Sequence, residues 1–429
     1  MRGTGRAKAA IRVLAACAVA ATFLLAAAAG AETPRRAPES RLRLVPGGPC
    51  AEGTLAGDAS DAQWRICVPA DWNGDLVVYA HGFVAPSQPL RLPDDRVGGL
   101  PVDEIIQSMG FAYATTSYRT NGLAVPLAVE DLVQLVERFG DEFVQPLHVF
   151  AVGVSEGGLV AALAVEKYPE MFDAGLSAGG PVGDFRNQVN YFGDFLVLFN
   201  YFFPNVLPNC TPLGISKEVM DNWESVYEPA VREALSNQFS ATRQLLRVTR
   251  IPIDPMDPSS IAESVTGILR YAVFATNNAI RVLGGGALWQ PGQPGQPFDN
   301  TRRFYTGSDN DLRLNLAIQR VAAGATAIKE IETRYQTSGR LSRPMITIHT
   351  TDDPIVPFAQ QPAYGWKTIQ AGSGSLNLGI PVFRYGHVNL TLNELHAAFS
   401  AMLFASTSQN LFTQIVPALR LRISQQSPE

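Results

Sequence analysis

The stretch Val149-Phe150-Ala151-Val152-Gly153-Val154-Ser155-Glu156-Gly157-Gly158 joins an apolar, β-prone run to a glycine-rich turn. Leu147 to Val154 is nearly continuous in apolar residues and predicts a buried strand, and Leu159 to Lys167, stopped before Pro169, predicts a helix. Between them Gly153-Val154-Ser155-Glu156-Gly157 has the spacing G-x-S-x-G. A chain that bends this sharply from strand to helix holds its central serine in a strained conformation. Side chains two positions away would collide, hence the glycines. The bend exposes the hydroxyl and sets it near the positive end of the following helix. Ser155 is therefore the candidate nucleophile.

The same rhythm extends on both sides. Short apolar runs at Arg65–Val68, Asp75–Ala80, Phe111–Tyr118, Ala174–Ser177, Met345–His349 and Leu376–Tyr385 predict strands. Helical spacing marks Val102–Met109, Val125–Phe139 and Leu390–Phe404, while residues 85–101, with several prolines and glycines, read as a loop. Alternation of this kind predicts an α/β fold, a mostly parallel sheet with helices on both faces. The rhythm breaks over residues 184–341, which are mostly helical in pattern. Residues 284–299, rich in Gly, Pro and Gln, read there as a loop. We expect a core of residues 48–183 and 342–429 with a helical cap, 184–341, inserted in it. The aromatic stretch Tyr191, Phe192, Phe195, Phe199, Tyr201, Phe202 and Phe203 suits either a substrate pocket or packing between cap helices.

A serine hydroxyl needs a base, and the chain has five histidines: His81, His148, His349, His387 and His396. His148 and His349 fall within predicted strands and read as packed; His396 falls on a helix. His387, in the loop between the last strand and the last helix, is the candidate base. The acid that fixes its tautomer is sought after the strand Met345–His349, in Thr350-Thr351-Asp352-Asp353-Pro354-Ile355-Val356-Pro357. Asp353 is preferred, Asp352 is the alternative, and Asp184 is a third. Oxyanion donors are each worth about 3 kcal/mol, and the backbone N–H groups of Phe83 and Glu156 are the candidates. His81, in the turn His81-Gly82-Phe83, reads as a structural tie for that loop.

Together, Gly153–Gly157, His81–Phe83, Asp353–Pro357 and Gly386–His387 resemble the α/β-hydrolase superfamily in its esterase- and lipase-like branches. The segments Trp72–Gly82 and Gly386–Asn389 resemble secreted bacterial members of it. The resemblance implies the α/β-hydrolase fold with a large helical cap insertion, and carboxylic-ester hydrolysis through an acyl-enzyme. Glu156 departs from the family pattern, which often has an uncharged residue there; its carboxylate would alter pH dependence or merely face the helix surface.

The N-terminus carries Arg2, Arg6, Lys8 and Arg12 before an Ala-rich apolar run, Val13 to Ala29. Ala29-Gly30-Ala31 fits a small-x-small cleavage rule, so residues 1–31 read as a signal peptide cleaved near Ala31, and residues 32–47 as a flexible leader. An uncleaved anchor and a lipoprotein box at Leu14–Cys17 are the alternatives. Cleavage leaves 30 basic against 39 acidic residues, and the mature protein is expected to be secreted or periplasmic without stable membrane insertion. Cys50 and Cys67 flank a predicted hairpin, Ala51–Ile66, and are expected to form a disulfide; Cys210 has no evident partner.

Charged residues are 17% of the chain, below the roughly 25% of soluble domains. No basic stripe points to nucleic acid, and no metal-ligand spacing or phosphate-binding glycine loop occurs. No cofactor is expected, and the expected partner is a small ester or amide. The competing readings are an amidase or peptidase with the same three residues, and a catalytically inactive binding protein.

Overall fold

The computed structural model describes residues 50–55, 62–284 and 295–407. The expected signal peptide and leader, residues 56–61, most of the expected Gly/Pro/Gln-rich loop and residues 408–429 of the expected core lie outside the described residues.

Eight strands form one sheet: β1 (Ala51–Leu55), β2 (Ala62–Cys67), β3 (Leu76–Ala80), β4 (Ala112–Thr116), β5 (Val149–Val154), β6 (Ala174–Ala178), β7 (Met345–Asp352) and β8 (Asn377–Tyr385). Their spatial order is β1-β2-β4-β3-β5-β6-β7-β8. β2 runs antiparallel to β1 and β4, and every pair from β4 to β8 is parallel. Strands buried on both faces need apolar residues at every position, which is why Leu76-Val77-Val78-Tyr79-Ala80 reads as an unbroken run.

Successive residues of each strand serve opposite layers. Leu76, Val78 and Ala80 pack in one core with α2 (Val125–Glu142) and α3 (Glu156–Lys167). Val77 and Tyr79 pack in the other with Ile106 of α1 (Val102–Ser108) and the apolar side of the C-terminal helix Leu392–Thr407. The layer sequence is thus helix, sheet, helix, as the alternation predicts.

Between β6 and β7 the chain is mainly helical. The long members are α4 (Phe185–Phe202), α5 (Glu228–Asn237), α6 (Phe239–Thr249) and α7 (Ser260–Leu283). They share a core of their own, in which Phe195, Phe199, Phe203 and Trp223 are buried. This resolves much of the aromatic stretch: one side of α4 packs into the insertion.

Several boundaries differ from the sequence reading. α3 begins at Glu156, not Leu159, because Gly157 and Gly158 lie in its first turn despite their poor helix propensity. β7 runs through Asp352, three residues past His349, and pairs with β8 to its end across a register shift between Thr350 and Asp352. His148 lies just before β5 and is half-exposed, paired with Asp75 at 2.9 Å, so it is not a packed strand residue. The loop 85–101 contains a two-residue ladder between Arg96–Val97 and Leu100–Pro101.

Cys50 and Cys67 form a disulfide that ties the lead-in of β1 to the end of β2. Cys210 is a buried free thiol, and burial pushes its pKa up. Among the described residues no helix is long and apolar enough to cross a membrane.

Candidate active site

The turn after β5 has the geometry its glycines imply. Ser155 sits at φ 54°, ψ −122°, a conformation side chains rarely adopt. A Cβ on Gly153 would land on the Gly157 carbonyl, and one on Gly157 would land on the carbonyls of Ala80 and His81. The Ser155 N–H donates to the Ala178 carbonyl at 2.8 Å, anchoring the apex to β6.

His387 arrives from the loop after β8. Gly386 at φ 106° and Val388 at φ 50° set the loop's course, and Gly386 is held at both ends. Its N–H donates to Asp352 at 3.1 Å, and its carbonyl accepts from Thr350 Oγ1 at 2.6 Å. The imidazole then lies with Nε2 2.8 Å from Ser155 Oγ and Nδ1 2.7 Å from Asp353 Oδ2. A carboxylate accepts, so Nδ1 carries the proton and the Nε2 lone pair faces the serine hydroxyl.

Of the two adjacent aspartates, Asp353 is the one brought to His387. Its carboxylate is fully buried, and its other oxygen accepts from the N–H groups of Ile355 at 2.8 Å and Val356 at 2.9 Å. Burial pushes its pKa up, but the imidazoles of His387 and His349 outweigh this and hold it below the ordinary carboxylate value. His349 is buried behind it: its Nε2 donates to the Val356 carbonyl at 2.9 Å and lies 3.4 Å from Asp353 Oδ2. Asp352, still in the strand, turns outward and accepts from Thr351 Oγ1. Asp184 caps α4 through Asn187 N, at 3.2 Å, and does not join the cluster.

The turn His81-Gly82-Phe83 lies against the serine: a Cβ on Gly82 would meet Ser155 Cβ at 3.3 Å. His81 itself is buried, stacked on the Tyr118 ring at 3.9 Å, with Nδ1 donating to the Gly82 carbonyl at 2.7 Å. Burial lowers its pKa, which favours the neutral ring. It ties the turn down and does not face the pocket. His396 lies on the C-terminal helix, lining a separate cavity behind the sheet.

Strand order, the serine turn after the fifth strand, the acid after the seventh and the histidine after the eighth form one pattern, with chain order Ser…Asp…His. The chain has the α/β-hydrolase fold. Among solved structures similar to it are acylaminoacyl peptidase of Pyrococcus horikoshii (12% identity, 83% of this chain and 41% of that one, TM-score 0.40) and feruloyl esterase B from Aspergillus oryzae (16%, 80% and 73%, 0.43). A third is 2-hydroxy-6-oxo-6-phenylhexa-2,4-dienoate hydrolase from Rhodococcus sp. strain RHA1 (16%, 84% and 99%, 0.37). The chain spans about two fifths of the length of the acylaminoacyl peptidase. At this identity and overlap, the likenesses say nothing about activity or substrate. No family model matches the chain. No curated protein matches it.

In this α/β-hydrolase fold the serine opens onto a cavity of about 100 Å³ lined by Phe83, Glu156, residues of α4 and α7, and Ile355 and Val356. The rings of Phe83, Tyr271 and Phe192 run in series along it, with centroids 5.8 and 6.0 Å apart. Of the aromatic stretch 191–203, Phe192 reaches the cavity, while Tyr191 donates from its hydroxyl to the Pro354 carbonyl at 2.7 Å, beside Asp353. Sequence reading missed Phe185, Gln188, Tyr271 and Phe298 as lining residues. For the first two, with Val189 and Phe192, the spacing 185-188-189-192 along one helix side was the available signal. The one trio of His, Cys, Asp or Glu side chains close enough to share a metal among the described residues is Cys50, Cys67 and Asp103, and its two sulfurs are bonded to each other.

Glu156 does not face the helix surface. It is buried, and its Oε1 accepts the Ala124 N–H at 3.0 Å, at the start of α2. Burial pushes its pKa up to about 8. The folded protein therefore holds a proton there that the unfolded chain releases near the ordinary carboxylate pKa. Its contribution to stability is fully present in acid, is lost as pH rises, and levels off above about 8. Glu156→Gln keeps the acceptor and removes the charge. It should raise Tm at pH 9 by at least about 3 °C while leaving Tm at pH 5 within about 1 °C of wild type. Thermal unfolding of both proteins at the two pH values checks this; parallel behaviour would contradict it.

Proposed function

We propose that this protein is an exported serine hydrolase that cleaves carboxylic esters through an acyl-enzyme on Ser155. The observation that carries the proposal is the single imidazole held between Ser155 Oγ and Asp353 Oδ2, at 2.8 and 2.7 Å.

In this reading His387 Nε2 takes the Ser155 hydroxyl proton as Oγ attacks the ester carbonyl. Negative charge collects on the carbonyl oxygen, where the N–H groups of Phe83 and Glu156 stabilise it. His387, now doubly protonated beside the Asp353 carboxylate, gives its proton to the departing alkoxide oxygen. The acyl group remains on Oγ. Water then repeats the sequence: it loses a proton to Nε2, attacks the acyl carbon, and releases the acid as the proton returns to Oγ.

Ester rather than peptide substrates are supported by the lining of the cavity: among the described residues its one acidic side chain, Glu156, is already engaged by the Ala124 N–H, and no Lys, Arg or Asp joins it to hold a peptide's charged end. Residues 184–341 act as a cap that supplies specificity to the core. Export is supported by the basic and apolar N-terminus and by a disulfide of the kind that persists in oxidising compartments.

A fluorophosphonate probe should label the folded protein at Ser155, and matched p-nitrophenyl esters should turn over at least about a hundredfold faster than the corresponding anilides. Absence of an adduct on Ser155 would leave a binding protein; comparable anilide turnover would make it an amidase or peptidase.

A further inference from the structure

Helix α4 turns one side toward Ser155. Phe185, Gln188, Val189 and Phe192 all line its cavity, at the spacing of one helix face. Three of them are apolar; Gln188 is not, and it is 3% exposed. Its Nε2 donates to the Ile355 carbonyl at 2.8 Å. That bond fixes the orientation of the amide, because reversed it would set one oxygen against another. Oε1 is therefore the free end. It is buried and has no donor among the described residues. Several buried side-chain atoms are unpartnered in this way, but only Gln188 Oε1 is on a residue lining the cavity that holds Ser155.

A buried carbonyl oxygen without a donor carries a desolvation cost, and a ligand that supplies the donor relieves it. The surroundings specify what bears that donor. The cavity walls combine small and aliphatic side chains with five rings, Phe83, Phe185, Phe192, Tyr271 and Phe298, and its volume is about 100 Å³. Apolar cavities of about 150 Å³ take one benzene ring. At about 100 Å³ this cavity admits nothing bulkier than a single flat ring, and a hydroxyl on that ring is the slimmest group that donates.

We propose that Gln188 is a specificity-determining residue, and that the substrates are esters carrying a hydroxylated aromatic ring whose O–H donates to Gln188 Oε1. This rests on the ester-hydrolase reading of Ser155. A pocket built to receive a hydroxyl penalises the analogue that lacks it, because its own polar atom is then left unpaired.

The test uses methyl esters of benzoic, phenylacetic and 3-phenylpropanoic acids, each unsubstituted, ring-hydroxylated and ring-methoxylated, with kcat/KM measured for the mature chain. In at least one series the hydroxylated ester should exceed both analogues by about tenfold or more. The ratio should fall to within about twofold in Gln188→Met, which keeps the length and loses the acceptor. Gln188→Asn, which withdraws the acceptor by one methylene, provides the same readout should the Met variant fail to fold. Turnover with no preference for the hydroxyl in wild type, or a preference that survives in the variants, overturns the assignment to Gln188 and leaves the esterase reading standing. No turnover of any ester together with no fluorophosphonate adduct on Ser155 overturns both.

Discussion

Ser155→Ala should lower ester turnover by about a millionfold, His387→Ala should cost nearly as much, and the double variant should lose little more than either alone. Non-additivity is the informative part. The hydroxyl proton has one acceptor, Nε2 at 2.8 Å. Without the imidazole the hydroxyl is a weak nucleophile, and without the hydroxyl the imidazole has nothing to activate. Two groups acting in one proton transfer are lost once. Two independent contributions would multiply instead, and kcat measured on all three variants distinguishes the cases. Stability separates the chemistry from the fold. Ser155 occupies φ 54°, and such strain costs on the order of 1–3 kcal/mol. Alanine keeps the Cβ and the strain, so its Tm should stay near wild type. Ser155→Gly should be equally inactive but more stable, because glycine adopts this conformation freely. Inactive variants with reduced Tm would point to unfolding rather than to a missing nucleophile. Turnover within tenfold of wild type in Ser155→Ala would move the reaction elsewhere.

What the sequence could say follows from where each constraint is local. The serine turn is written in ten consecutive residues, since strand, glycines and helix must all be adjacent. His387 was legible because few histidines exist and only this one falls in the loop between the last strand and the last helix. The choice between Asp352 and Asp353 was not settled by pattern. It depends on where β7 ends, and the strand runs into Asp352 because β8 continues to pair with it. The role of Glu156 was hidden for a different reason: its partner, the Ala124 N–H, lies 32 residues away, on the residue that caps the start of another helix. Gln188 was hidden likewise, because its significance lies in a bond to Ile355, 167 residues on, which occupies its nitrogen and leaves its oxygen without a partner among the described residues. Periodicity reports which residues are buried; it does not report which buried polar atoms lack partners.

Asp353→Asn and Asp352→Asn, one residue apart, should differ in kcat by about ten-thousandfold. In wild type, Asp353 Oδ1 accepts two backbone N–H bonds and Oδ2 accepts the His387 Nδ1 proton. An asparagine has one oxygen and one NH₂ group. The two backbone donors claim the oxygen, so the NH₂ group is left facing Nδ1. Two donors cannot face each other, and the imidazole responds by moving its proton from Nδ1 to Nε2. Nε2 then presents a hydrogen to Ser155 Oγ where it had presented a lone pair, and it can no longer take the hydroxyl proton. The fold should survive, because both backbone bonds are kept. Asp352 offers no such path. Its carboxylate is turned outward to Thr351 Oγ1, and the strand position is held by its backbone carbonyl, which the substitution leaves in place. Its variant should stay within about threefold of wild type. Steady-state kinetics on the two variants, with Tm as the control for folding, decides the matter. A large loss in Asp352→Asn with little in Asp353→Asn would transfer the role to the neighbouring carboxylate, and equal small losses in both would mean that no aspartate sets the tautomer of His387.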